Sequence, residues 1–93
     1  MSKQYWVYIL TNRTNSVLYT GITGNLSRRM EEHKSGKIRG FTSRYNVFRL
    51  VFAQAFDNVN YAILAEKKIK GGSRQKKIEL IKSINPEFKE LIY

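Results

Sequence analysis

The chain of 93 residues contains no cysteine, one histidine, one proline and only seven acidic side chains. Without thiols there is no disulfide, zinc finger, iron–sulfur cluster or cysteine nucleophile. A single imidazole leaves too few nitrogen or sulfur ligands for a zinc site. A metal, if used, must be held by oxygen, which points to Mg²⁺ or a similar hard ion such as Mn²⁺. Long apolar runs are missing too: nothing approaches the ~20 residues needed to cross a bilayer. The stretch after Met1-Ser2-Lys3-Gln4 is too short for the core of a signal peptide, so a cytoplasmic location is expected. So short a chain has room for one core, and residues 1–93 are read as one domain.

Positive charge is what the chain has in excess. Seventeen Lys and Arg against seven Asp and Glu give a net charge of +10. A field of that sign on so small a body favours polyanions: nucleic acid is the expected partner and anionic lipid the rival. Attachment to an acidic membrane would need a wide apolar helix face, which no segment offers. The apolar share of 42% and the aromatic share of 13% suit a globular fold, expected as a monomer.

Tyr5, Val7 and Ile9 alternate with Trp6, Tyr8 and Leu10. Both faces are apolar, which predicts a covered strand over residues 4–10. The turn-forming run Asn12-Arg13-Thr14-Asn15-Ser16 leads into a second short strand over 17–20, a hairpin that Gly21 ends. Asn25 or Gly24 caps a helix reaching about Lys34. On it Leu26, Met30 and His33 follow one line, Arg29 lies beside that line, and Arg28 turns roughly 160° away from Leu26. Arg29 and His33 can therefore share a site at the sheet edge, and Arg28 cannot. Ser35 to Arg44 reads as a basic, Gly-containing loop.

Residues 46–56 predict a third strand, with Val47, Val51 and Ala53 opposing Phe48, Leu50 and Phe52. From Asn58 to Lys70 the pattern is helical: Tyr61, Leu64, Ala65 and Ile69 form the stripe and Glu66 sits at its margin. Gly71-Gly72 breaks the helix, Ser73 caps another to about Ser83, and Pro86 opens a short C-terminal segment. The expected class is α+β: a three-stranded, mainly antiparallel sheet flanked by helices on both sides, in the order β-β-α-β-α-α. Strand order stays open.

Certain residues stand in a telling order. Trp6-Val7-Tyr8 is followed by Tyr19-Thr20-Gly21, then by Arg29 with His33 four residues later, then by Glu66 and Asn85. This order resembles the GIY-YIG nuclease superfamily, whose members carry two such triplets, a helical Arg, a later Glu and often a terminal Asn. The segments from Tyr19 to Thr23, Asn25 to His33, Phe41 to Arg44, and Glu66 to Lys70 with Ser73-Arg74 are similar to its small stand-alone bacterial branch. The resemblance runs from about Tyr5 to Ile81. It departs from the pattern at Trp6, which stands where the first glycine would be.

The resemblance implies a GIY-YIG-like fold and Mg²⁺-dependent endonuclease activity with Tyr8, Tyr19, Arg29, His33 and Glu66 as the catalytic set. Phosphodiester hydrolysis needs polarised phosphoryl oxygens, a group that deprotonates water, and a cation for the developing charge. Glu66 is expected to hold Mg²⁺ or Mn²⁺, with waters completing the shell. Arg29 donates to the non-bridging oxygens through its planar fork. Tyr8 is the general base or a water-orienting phenol, with Tyr19 beside it; His33 assists proton transfer or clamps the phosphate. Gly21 and Asn85 complete the motif structurally.

Lys37, Arg39 and Arg44 around Phe41 are expected to meet the nucleic-acid backbone and stack a base. Arg74 and Lys77 share a line with Ile78 and Ile81, with heads that reach a phosphate near the helix N-terminus. Larger relatives borrow targeting from a separate DNA-binding domain. These 93 residues leave no room for one, so specificity is expected to be low, structure-selective, or supplied by a protein partner. The competing class is a non-catalytic nucleic-acid-binding module. In it Tyr8 and Tyr19 are core aromatics, His33 is a structural hydrogen-bonder and Glu66 is a surface carboxylate.

Overall fold

The computed structural model describes residues 3–93. Three strands, β1 (Tyr5–Thr11), β2 (Leu18–Thr23) and β3 (Arg49–Phe56), form an antiparallel sheet in the order β2-β1-β3. Helices α1 (Leu26–Lys34) and α2 (Phe41–Arg44) lie between β2 and β3 in the chain, and α3 (Val59–Gly71) and α4 (Arg74–Ile84) follow. The α+β class and element order are those the sequence predicts, with α2 as one extra turn inside the basic loop.

The two-faced apolar pattern of β1 makes it the central strand. Tyr8 and Leu10 pack on one face with Leu26 and Met30 of α1, Val47 and Leu50. Ile9 packs on the other with Val51, Phe52, Ile81 of α4 and Phe88, and Ile69 of α3 adds to that layer. Polar caps set the helix starts. The Asn25 side chain accepts from the Arg28 N–H, Asn58 from those of Asn60 and Tyr61, and Ser73 from that of Lys76.

Four sequence expectations need correction. Gly21 does not end β2; it sits within the strand, opposite Tyr8 in the register. β3 starts at Arg49 rather than residue 46, because Asn46 takes a left-handed φ of 55° and the Val47 N–H turns back to the Thr42 carbonyl at 2.9 Å. Strict alternation along β3 also fails. Ile9 pairs with Phe52 and Leu10 with Leu50, so Val51 is an extra, bulged residue, and both it and Phe52 reach the α4 layer.

The fourth correction is the phase of α3. Tyr61 and Leu64 are 65% and 63% exposed, and Ala62 is the fully buried residue, in line with half-buried Glu66 and Ile69. A helix that packs on all three strands needs its smallest side chain at the closest approach. Glu66 thus lies on the inward side of α3 rather than at its margin.

After α4 the chain doubles back. Buried Asn85 donates to the carbonyls of Val51 at 3.0 Å and Lys89 at 2.8 Å, and accepts from the Lys89 N–H. The Leu91 N–H then donates to Leu50 O at 2.8 Å, Lys34 pairs with Glu90 at 2.9 Å, and Tyr93 meets Trp6 edge-on. Residues 85–93 strap the outer side of α1 to the sheet.

Candidate active site

Tyr8 is held by the absence of a side chain. A Cβ on Gly21 would overlap Cζ and the hydroxyl of Tyr8, and even Cε2 would lie only 2.9 Å away. The phenol therefore lies flat across β2 and points to α1. Its hydroxyl is 3.2 Å from Nε2 of His33, and Nδ1 of His33 is 3.0 Å from Oγ1 of Thr42 on α2. Tyr19 joins this group, with its ring centroid 6.5 Å from that of Tyr8 and 6.0 Å from that of His33. Tyr8, His33 and Thr42 are all buried.

Arg29 and Glu66 lie within electrostatic reach of the phenol. Burial pushes the Tyr8 hydroxyl well above the ordinary tyrosine range; Tyr19 adds to the rise, Arg29 opposes it, and Glu66 and Glu32 add to it again. The resting group is therefore a neutral phenol. His33 is held below its ordinary value, first by burial and then by Arg29, against the pull of Glu32. A neutral imidazole facing a neutral phenol can accept its proton, so the pair can relay a proton without forming a free phenolate.

The lowered His33 value has a consequence for stability. Between that value and the ordinary one near 6.5, the unfolded chain binds a proton that the folded chain does not. Stability present above about pH 6.5 is thus lost as pH falls through this window. Urea midpoints measured from about pH 7.5 to 5.5 are expected to decline in the wild type. The decline should flatten in a His33→Gln variant; an equal slope in both would place the titration elsewhere.

Glu66 has a side chain 15% accessible, and its carboxylate meets the Lys70 ammonium at 2.9 Å. Among the described residues no three His, Asp or Glu side chains converge; of the two carboxylates that act on the Tyr8 phenol, Glu66 acts more strongly than Glu32, which is paired with Arg28 and Arg29. An inward carboxylate whose charge is felt at the Tyr8 phenol fits a hard ion that keeps most of its waters, which is how Mg²⁺ is commonly held. Arg29 rests 3.5 Å from Glu32, which Arg28 also approaches at 3.5 Å from a more exposed position.

From this centre an aromatic row leads outward. Phe41 stacks on Tyr19 with centroids 6.2 Å apart and planes at 24°, and Tyr45 lies 4.9 Å from Phe41. Phe41 and Tyr45 are 47% and 46% exposed, and the Arg44 guanidinium sits over the Tyr45 ring. Lys37 and Arg39 are exposed on the approach to α2. A cleft of about 210 Å³ beside Tyr19 runs between Phe41 and the stems of Lys70 and Lys77.

Arg74 and Lys77 are placed differently from the sequence expectation. Arg74 crosses to the hairpin and donates to Asn15 O at 2.8 Å, while Lys77 donates to the carbonyls of Gly72 and Lys70 that end α3. Both tie elements together instead of standing free at the N-terminus of α4. Asn85 lies away from the phenols, in its clamp on Val51 and Lys89. Sequence reasoning missed Thr42, Tyr45 and Lys70. Thr42 lies in the family-like segment from Phe41 to Arg44 and Tyr45 just after it, but within that segment a role is assigned only to Phe41 and Arg44, and no local signal marks a threonine that will be buried.

Comparison with known proteins bears on this arrangement. A GIY-YIG catalytic domain profile matches residues 4–79. The chain is 38% identical to the UPF0213 protein of Oceanobacillus iheyensis over 81 residues, 87% of this chain and 93% of that one. It is 41% identical to the UPF0213 protein of Syntrophus aciditrophicus over 88 residues, covering 94% and 98% of the two chains. Among solved structures it is similar to the solution NMR structure of the UPF0213 protein BH0048 from Bacillus halodurans, with a TM-score of 0.61 and 34% identity across 94% of this chain and 92% of that one.

Proposed function

The chain belongs to the GIY-YIG family, and on that premise we propose that it hydrolyses nucleic-acid phosphodiester bonds in a metal-dependent, structure-selective manner, with DNA as the substrate. The observation that carries this reading is the Tyr8 phenol, laid over Gly21 and bonded to His33 within reach of Arg29 and Glu66. A core tyrosine needs a polar partner, but it does not need a buried imidazole, a guanidinium and a carboxylate around it.

Glu66 would hold the hard ion, which when bound supplies charge for the phosphoryl oxygens and a more acidic water. Tyr8 orients the attacking water and takes its proton while passing its own to Nε2 of His33. The phenol stays neutral throughout, as its raised pKa requires. Arg29 leaves Glu32 to meet the non-bridging oxygens, where a bidentate guanidinium is strongest. Lys70, paired with Glu66 at rest, would be free to meet a phosphate beside Tyr19 once Glu66 held the ion.

The test is incubation with branched, flapped, single-stranded and duplex substrates, with and without Mg²⁺ or Mn²⁺. Cleavage of at least one of them, lost on chelation, is the expected result. Binding without cleavage of any substrate would favour the non-catalytic module instead, the reading to which the resting Glu66–Lys70 and Arg29–Glu32 pairs lend support. Binding itself should weaken steeply with salt, by a log–log slope of about −0.9 per neutralised phosphate on duplex DNA. Joint replacement of Lys37, Arg39 and Arg44 by Ala is expected to flatten that slope by up to ~2.7. An unchanged slope would move the contact surface away from the α2 loop.

A further inference from the structure

His33 is the only imidazole in the chain, and its surroundings are closed. Its two ring nitrogens have two hydroxyl partners, Tyr8 at 3.2 Å and Thr42 at 3.0 Å. Each hydroxyl can donate or accept, whereas a neutral imidazole has one N–H and one lone pair. Two arrangements satisfy both ring nitrogens. In the first, Tyr8 donates to Nε2 and Nδ1–H donates to Thr42. In the second, Thr42 donates to Nδ1 and Nε2–H donates to Tyr8.

Chemistry separates the two. A phenol is a far stronger acid than an alkyl alcohol, hence the better donor, and the alcohol is the better acceptor. Pairing the best donor with the imidazole lone pair selects the first arrangement. Which nitrogen carries the proton is set by the bond the other nitrogen makes, so the hydroxyl beyond the ring decides what the ring offers Tyr8. The backbone holds Thr42 for this task. Its carbonyl accepts from the Val47 N–H at 2.9 Å, and Phe41 beside it is stacked on Tyr19.

We propose that Thr42 is the positioning residue of this site: by accepting from Nδ1–H of His33 it fixes the tautomer whose Nε2 takes the proton of Tyr8. This assigns a purpose to the α2 turn. Its outer residue, Phe41, lines the entrance, and its inner residue sets the imidazole. Only the catalytic half of the proposal rests on the phosphodiesterase reading. The tautomer stands or falls independently.

The experiment uses ¹⁵N-labelled protein and long-range ¹H–¹⁵N correlation of the imidazole, recorded at a pH where His33 is neutral. Wild type and Thr42→Ser are expected to show the proton on Nδ1, and Thr42→Val to show it on Nε2. With a cleavable substrate, Thr42→Val should lower kcat on the order of 10- to 100-fold with KM little changed, by analogy with the loss of the group that orients a metal-bound imidazole. Thr42→Ser should recover most of that loss, which a merely structural role for the threonine methyl would not allow. A wild-type proton on Nε2, or a tautomer that Thr42→Val leaves unmoved, overturns the proposal. A tautomer that flips with kcat unchanged upholds the tautomer assignment and overturns the catalytic half. If wild type cuts nothing, the nitrogen shifts alone still decide the role of Thr42, and it is the nuclease reading that fails.

Discussion

Glu66→Gln is expected to reduce turnover by on the order of 10³-fold or more while leaving nucleic-acid binding intact. A bound divalent ion contributes several kcal/mol to a phosphoryl transition state, and each 1.36 kcal/mol is tenfold in rate. The amide keeps the volume of the carboxylate but not the charge that holds a hard ion. Binding should persist or tighten, because a negative charge near the incoming phosphates is gone and Lys70 is freed from its 2.9 Å pair. The fold should hold. Glu66 faces inward beside Ala62 and Ile69, but Gln matches its shape, and an i,i+4 pair of this kind is worth only about 0.3–0.5 kcal/mol. Cleavage, filter binding and a melting curve on the same preparation check the three parts together. A variant that cuts at near wild-type rate would remove Glu66 from the chemistry.

Gly21→Ala is expected to be the most damaging single-methyl substitution in the sheet. The new Cβ would overlap Cζ and the hydroxyl of Tyr8, which is buried against α1 and has nowhere to retreat. Overpacking of this kind costs about 1–3 kcal/mol, and the upper end applies where a ring must leave its hydrogen bond to His33. For a domain of this size that corresponds to a fall in Tm of ~10–20 °C. Gly71→Ala is the matched control. Gly71 ends α3 with nothing within 4 Å of its missing Cβ, so the same methyl there should be neutral or stabilising by about 0.5 kcal/mol. Thermal melts of the two variants should shift in different ways. Equal shifts would mean that the phenol does not lie across the glycine.

These outcomes trace what could be read from residues alone. The hairpin, the two-faced strand β1 and the capped helices were legible because period-two alternation and Asn or Ser caps are local signals. Tyr8, Tyr19, Arg29, His33 and Glu66 could be named from their order along the chain. What was not legible is tertiary. Gly21 reads as a strand breaker until its cross-strand partner is known to be Tyr8. The phase of α3 was ambiguous, since 61-64-65 and 62-65-66-69 both satisfy helical spacing and only packing on the sheet selects the second. The bulge at Val51 leaves no mark in an unbroken apolar run. Arg49 looked like one more positive charge, yet its guanidinium binds Asn12 O, the Asn15 side chain and Phe88 O, tying hairpin to C-terminal segment.

The strap formed by residues 85–93 gives the molecule a lever behind α1. Leu91 packs against the cluster that Tyr8 and Met30 share, and the strap is the outer wall against which α1 rests, through Leu91, Glu90 and a groove that Met30 lines. The imidazole therefore inherits its alignment from two sides: a threonine bond inside and a clasp outside, fastened by one buried asparagine. Local opening of the clasp would loosen α1 without melting the sheet, and the Leu91 amide is its natural reporter in hydrogen exchange. Sequence drift in this tail can thus retune how rigidly the Tyr8–His33–Thr42 chain of hydrogen bonds is held while each of its residues stays the same.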